Sequence, residues 1–254
     1  MPRLYLPVTQ IINNQISVTG EKAHYLVSVL RCQKGDDLLI LDGEGNCIKT
    51  SIVKSDRKEV VAEIKERFPC DLESSINIIL VQGLLKGEKM DMVIQKATEL
   101  GVKEIMPVIT MRSQMRETRK MARWRKIAEE ASRQSGRGIA PIVHEPIAFK
   151  NIFVQTSTNH PSPSTLAKGR NRGAGFIFYE EGGMKLSEAF SSFIPHPSSF
   201  VIVIGPEGGF EEEEVSLAKE KGVLVVSFGR RILRAETAAI SAVTLVQFML
   251  GDMG

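Results

Sequence analysis

The sequence predicts an α/β protein: a parallel sheet with helices on both faces, preceded by a small β-rich unit. Three observations carry this. From Ile76 onward, short apolar runs alternate with amphipathic segments in the rhythm of strand–helix units. The runs Phe200–Ile204 and Val223–Val226 are apolar throughout, as buried parallel strands are. Before Ile76 the pattern is instead a hairpin followed by an alternating strand.

Taken in order, Thr19-Gly20-Glu21 opens a helix that runs to Leu30. Asp37–Leu41 and Asn46–Val53 are strands around an Asp42-Gly43-Glu44-Gly45 turn. Val60–Phe68 alternates apolar and charged residues like a half-buried strand, and Pro69–Ser75 is a linker. The domains are therefore 1–72 and 73–254. In the second, Ile76–Val81 is a strand, and Glu88–Leu100 a helix with Met90, Val93, Ile94, Ala97 and Leu100 on one face and Gly101 as terminator. Strand Glu104–Val108, helix Thr118–Ser135 and strands Gly175–Tyr179 and Phe200–Ile204 follow. Glu211–Lys221 is a helix with acids in its first turn and lysines in its last, which complements the helix dipole. Strand Val223–Val226 and a helix from Ala235 close the chain. Residues 156–172, rich in Ser, Pro, Asn and Gly, form a surface loop.

Length and composition bound the function. The 254 residues suffice for one large or two ordinary domains, and 25% charged with 43% apolar residues fits a soluble globular protein. Cys32, Cys47 and Cys70 are odd in number and far apart, so reduced thiols and a cytoplasmic setting are expected over a disulfide scaffold. The start lacks a signal-peptide core. The apolar segment 235–250 is short for a membrane span and contains Glu236, so no membrane partner is expected. His24, His144, His160 and His196 are scattered without metal-ligand spacing, and no metal is expected. There is no GxSxG elbow. Gly83-Leu84-Leu85-Lys86-Gly87-Glu88-Lys89 hints at a phosphate loop but lacks the GK[ST] ending.

Two motifs stand at the carboxyl ends of predicted strands, where open α/β sheets bind ligands. One is Gly205-Pro206-Glu207-Gly208-Gly209-Phe210. Alone it is a turn; its glycines also let backbone approach a ligand closely. The other is Phe228-Gly229-Arg230-Arg231-Ile232-Leu233-Arg234-Ala235-Glu236-Thr237-Ala238. Arginines just before a helix N-terminus oppose the dipole, so local stability explains them poorly, whereas Glu236 suits its place as a stabilising anion as well as a functional one. A third feature is the segment 112–137, with nine Lys or Arg against three Glu. Charge runs are ordinarily solvated faces, but this excess points to phosphate backbone. The first 72 residues carry ten basic and ten acidic residues, so an RNA role there would fall to individual residues such as Arg3 and Arg31.

Together the two loops resemble the S-adenosylmethionine site of the SPOUT methyltransferases. The whole chain resembles the ribosomal RNA small subunit methyltransferase E family, also through His24 with Val29-Leu30-Arg31, Gly87-Glu88-Lys89-Met90, Gln95–Val102, Arg112-Ser113 and Gln134-Ser135-Gly136-Arg137. The resemblance implies a PUA-like β-barrel, a catalytic domain with a C-terminal trefoil knot, a homodimer, and methylation at N3 of a uridine, uridine 1498, in 16S ribosomal RNA or the small ribosomal subunit. S-adenosylmethionine would be held by Ile204, Gly205, Pro206, Glu207, Gly208, Gly209, Phe228, Gly229, Ile232, Leu233, Thr237 and Ala238, with Tyr179 and Glu180 from a third loop. Arg3, Arg31, Lys86, Lys89, Arg112 and Arg137 are the candidate RNA contacts, and Arg234 and Glu236 the catalytic residues. Arg133 stands where the family commonly has a glutamate, which alters local pairing. Other readings carried forward are an RNA-binding protein with a vestigial pocket and a methyltransferase for a different RNA.

Overall fold

A computed structural model describes residues 1–7, 11, 13–153, 174–193 and 197–254. The expected loop 156–172, His160 and His196 lie outside the described residues. The chain divides into two units, Met1–Glu73 with Glu129–Ala140, and Ser74–Ala128 with Pro141–Gly254. Segment 129–140 thus packs with the N-terminal residues, an assignment the linear pattern did not contain.

The first unit is built on strands β1 (Arg3–Tyr5), β2 (Gln15–Thr19), β3 (Asp37–Leu41), β4 (Asn46–Ser55) and β5 (Glu59–Pro69). They form one sheet in the order β1-β3-β4-β5-β2, and the described ladder is an open path with β1 and β2 at its ends. β3 and β4 are the expected hairpin; Asp42 fixes its turn by accepting from the N–H groups of Glu44 (2.8 Å) and Asn46 (2.9 Å). Alternate residues Leu38, Ile40, Ile48, Ile52 and Val60 share one buried cluster with Leu26 of the helical segment. That segment starts as helix α1 (Gly20–His24) and widens to a π-turn over Tyr25–Val29.

Two expectations are corrected in this unit. Cys47 and Cys70 are joined as a disulfide, with Cα atoms 5.2 Å apart; Cys32 is free and buried. The pairing of β4 with β5 sets Cys47 opposite Phe68, which carries Cys70 back to it across 23 residues of chain. The supposed linker is also tied down: Glu73 receives the Arg137 guanidinium at 2.8 Å. Arg133, the residue that departs from the family pattern, pairs with Glu130 at 2.7 Å and lies over the Tyr25 ring at 5.3 Å, a cation–π contact.

The second unit holds strands β6 (Asn77–Gly83), β7 (Glu104–Ile109), β8 (Ile142–Val143), β9 (Ile147–Ala148), β10 (Gly175–Phe178), β11 (Met184–Lys185), β12 (Ser199–Ile204) and β13 (Leu224–Ser227). Their order is β11-β13-β10-β12-β6-β7-β8, with β9 also on β7, and every pair is parallel. Both faces are covered, as the uninterrupted apolar runs required. Ile78, Leu80, Phe176, Phe200 and Ile202 face a core with helices α2 (Lys89–Glu99), α4 (Leu186–Ser191), α6 (Ala235–Leu250) and the start of α3 (Met121–Ser135). Their neighbours Ile79, Val81, Ile177, Val201 and Val203 face a second core with α5 (Glu212–Glu220) and the short turn Phe149–Phe153. Fully burying a side chain such as Phe176 stabilises the fold by about 1.5–3 kcal/mol.

Trp124 is fully buried in the first of these cores, and its indole N–H donates to Asp91 Oδ1 at 2.9 Å. Trp124→Phe keeps most of the volume and leaves that oxygen without its donor. Urea unfolding is expected to show a loss of about 1–3 kcal/mol; an unchanged midpoint would mean the bond contributes nothing.

Candidate active site

Adjacent parallel strands β13, β10 and β12 end on the same side, and the loops that leave them enclose one cavity of about 680 Å³. The β10 loop contributes Phe178, Tyr179 and Glu180. The β12 loop contributes Ile204, Gly205, Pro206, Glu207, Gly209 and Phe210. The β13 loop and the start of α6 contribute Ser227, Phe228, Gly229, Arg230, Arg231, Ile232, Leu233, Arg234, Ala235, Glu236 and Ala238, and Lys89 completes the wall. All the residues expected to hold a cofactor gather here except Gly208 and Thr237, which are not in the wall. Phe178, Phe210, Ser227 and Ala235 were not foreseen.

The β12 loop is shaped by its backbone. Gly209 N–H closes a turn onto the Pro206 carbonyl at 3.0 Å, and Gly209 has φ +74°, which glycine adopts freely. The loop lies hard against the end of β6. A Cβ built on Gly83 would fall 2.6 Å from Pro206 Cδ and closer still to its nitrogen. The preceding side chain, Gln82, is fully buried and donates Nε2–H to the carbonyls of Gly83 (3.0 Å) and Gly205 (3.2 Å). Sequence reasoning weighed Gly83 only as part of a phosphate-loop match that failed, and it passed over Gln82. The available signal was a glycine at the end of a strand, which marks close backbone approach.

Side chains fasten the same loop at two further points. Glu207 accepts from the Lys86 N–H at 3.1 Å and the Lys89 ammonium at 3.0 Å. Burial pushes its carboxyl up, but these bonds and one from its own N–H outweigh burial and leave it below the ordinary value. Arg112 spreads its fork over Glu211, Nε to Oε1 at 2.9 Å and NH2 to Oε2 at 3.0 Å, and NH1 donates to the Gly208 carbonyl at 3.3 Å. The paired hydrogen bonds hold the Glu211 carboxyl below its usual range and the Arg112 guanidinium above its own.

The catalytic candidates differ in their surroundings. Arg234 is exposed at the N-cap of α6, and neither it nor Arg230 or Arg231 has an ion pair among the described residues. Glu236 is half-buried in the first turn of α6, and its Oε2 is enclosed without a hydrogen-bond donor. Glu236 does not pair with Arg234. In the N-terminal unit, Arg3 is exposed and reaches the Gln134 carbonyl at 3.4 Å, while Arg31 is exposed with φ +56°. Arg137, expected among the phosphate contacts, is corrected: it is 2% exposed and held by Glu73, so it presents no charge to a phosphate. Among the described residues, no three His, Cys, Asp or Glu side chains are placed to hold a metal, and no helix is long and apolar enough to cross a membrane.

A family model described as an RNA methyltransferase domain matches residues 72–247, and one described as an RNA methyltransferase PUA domain matches 18–65. The ribosomal RNA small subunit methyltransferase E of a Synechocystis strain is 32% identical over 98% of this chain and 78% of its own length. That of Bacillus subtilis is 31% identical over 91% and 89%. A crystal structure of the Neisseria gonorrhoeae protein of that name, bound to S-adenosyl methionine, covers 100% of both chains at TM-score 0.84 and 32% identity. A methyltransferase from Legionella pneumophila, in complex with the bound cofactor SAM, covers 98% of both at TM-score 0.83 and 30% identity.

Gly83→Ala tests the close approach that shapes the cavity. The added Cβ overlaps backbone, so overpacking is expected to cost about 1–3 kcal/mol. A melting temperature equal to that of the wild type would show that the loop yields freely.

Proposed function

The chain belongs to the ribosomal RNA small subunit methyltransferase E family, and we propose that it transfers a methyl group from S-adenosylmethionine to N3 of a uridine in 16S ribosomal RNA. By the family resemblance this is uridine 1498. One observation carries the cofactor assignment: loops from three neighbouring strand ends line one cavity, and Glu236, in that lining, keeps a buried carboxylate oxygen, Oε2, with no donor of its own. Leaving such an atom unpaired is costly, and a cationic ligand group relieves the cost. The cavity's volume lies within the roughly 300–1,000 Å³ of small-molecule sites. Phe178, Ile204, Phe228 and Leu233 supply apolar wall for an adenine, and Gly205 and Gly209 expose backbone for polar contacts.

Bound there, S-adenosylmethionine supplies an electrophilic methyl group on a sulfonium. The rest is done by the chain. The loops fix the direction of approach, so positioning supplies much of the rate. The uracil N3 proton has to leave. Arg234, exposed and unpaired, can set its planar donors on the uracil carbonyl oxygens and hold the resulting negative charge. Glu236 sits in the first turn of α6 and lines the cavity. Its role is to hold the cationic end of the cofactor.

Exposed cations, Arg230 and Arg231 in the cavity lining and Lys86 in the β6–α2 turn, are suited to RNA phosphates. Exposed apolar side chains, Ile232 on the cavity lining and Phe248 and Met249 at the far end of α6, support a homodimer. The trefoil knot is supported by α6, which returns from the β13 loop to pack on α2, β6 and β12 near the middle of the sheet. A cytoplasmic working place is supported by the proposed RNA substrate alone, since the Cys47–Cys70 disulfide removes the argument from reduced thiols.

Incubating the protein with labelled S-adenosylmethionine and small-subunit RNA, then mapping the modified nucleoside, tests the reaction. Arg234→Ala is expected to bind cofactor normally and lose turnover. Glu236→Gln is expected to melt normally and bind cofactor more weakly. Normal turnover by the first variant, or normal cofactor affinity in the second, would overturn the role given to that residue.

A further inference from the structure

We propose that Arg112 and Glu211 form a latch that holds the β12 loop in its cofactor-binding shape, and that Arg112 is a positioning residue, not an RNA contact. This rests on the reading that the cavity binds S-adenosylmethionine.

Arg112 opens the most basic stretch of the chain, yet its guanidinium is already engaged. Both oxygens of Glu211 take its fork, and the Gly208 carbonyl takes a third donor. Gly208 does not line the cavity. It packs on Arg112 itself: a Cβ on Gly208 would lie 3.0 Å from the Arg112 Cβ and 3.1 Å from its carbonyl oxygen. That glycine thus packs tightly against the latch, whereas Gly205 and Gly209 line the cavity.

The partner side is equally fixed. Glu211 is the N-cap of α5, and Glu214, one turn on, is buried. Glu214 accepts from the Glu211 N–H at 3.0 Å through Oε2 and from the Met111 N–H at 2.9 Å through Oε1. It thus clamps the β7 loop to the helix start beside the side-chain pair. Within the β7 loop, Ser113 Oγ accepts from the Thr110 N–H at 2.9 Å, and Arg116 donates to the carbonyls of Thr110 (3.1 Å) and Met111 (3.0 Å). Three of the five Arg112 N–H donors are committed and its charge is offset by Glu211, so a phosphate would meet a guanidinium already neutralised and held in place. Arg230, Arg231 and Arg234 carry no such commitment.

The Arg112 and Glu211 side chains are each 37% exposed, and exposed pairs contribute little to global stability. The latch acts on the shape of one loop. Losing bidentate, charge-assisted bonds there is expected to weaken cofactor binding about tenfold.

The experiment compares full-length wild type, Arg112→Gln, Glu211→Gln and the exchange Arg112→Glu with Glu211→Arg. Calorimetry measures S-adenosylmethionine affinity, steady-state kinetics measures KM and kcat, and small-subunit RNA binding is followed across salt concentrations. Each single variant is expected to raise the cofactor KM about tenfold with kcat at saturation and the RNA salt slope unchanged. The exchange restores the ion pair but not the donor to the Gly208 carbonyl, and it is expected to lose less cofactor affinity than the two single losses added together. Unchanged cofactor affinity in Arg112→Gln with a salt slope reduced by about one contact would return Arg112 to the RNA and overturn the latch. Strictly additive losses in the exchange, with no coupling between the two positions, would also overturn it. Absence of cofactor binding by the wild type would instead overturn the reading of the cavity.

Discussion

The site depends on how closely two backbones approach. Parallel pairing sets Ile204 of β12 opposite Gln82 of β6, so the chain leaving β12 must turn directly against Gly83. No Cβ fits between Gly83 and Pro206. With that approach, the loop turns towards the mouths of β10 and β13, Gln82 reaches the Gly205 carbonyl, and a cavity forms where a bulkier residue would prop the loop away. The general rule that open α/β sheets bind ligands at strand carboxyl ends takes a local form here, set by one absent side chain.

Charge is then divided between two tasks. Glu207, Glu211 and Glu214 accept donors from the β6–α2 turn and the β7 loop, and all three serve the β12 loop and the helix that follows it. Their partners, Lys89 and Arg112, belong to scaffolding. Arg230, Arg231 and Arg234 remain open on the far wall. A cation that faces an anionic substrate must be unpaired beforehand, and one that shapes a pocket must not be. The small unit repeats the distinction: Arg137 is buried on Glu73, while Arg31 is exposed.

Much of the fold was legible because parallel strands covered on both faces read as unbroken apolar runs, as at 200–204, and because Gly101 and Gly222, both at positive φ, end their helices visibly. Short pairings were not. β1 spans three residues and β11 two, lengths too small for any periodicity. The π-turn after His24 keeps a helical pattern and so looked like more of α1. The Cys47–Cys70 bridge depends on the register of β4 with β5, which spacing cannot reveal. In the site, the two loops were legible from their residues, because glycines and unpaired arginines at strand ends have few local uses. The partners of charges were not: Glu211 lies 99 residues from Arg112, and Glu73 64 residues from Arg137. Sequence shows the sign of a side chain; only the fold shows whether that charge is already spoken for.

The three-loop cavity is proposed as the cofactor site. It is tested most directly by calorimetric titration of S-adenosylmethionine into the wild type and into Leu233→Trp, which fills the cavity from a loop outside the buried cores. Saturable binding, one cofactor per chain, lost in the variant while its melting temperature holds, is the predicted result. Equal affinity in both proteins would place the cofactor elsewhere and contradict the account.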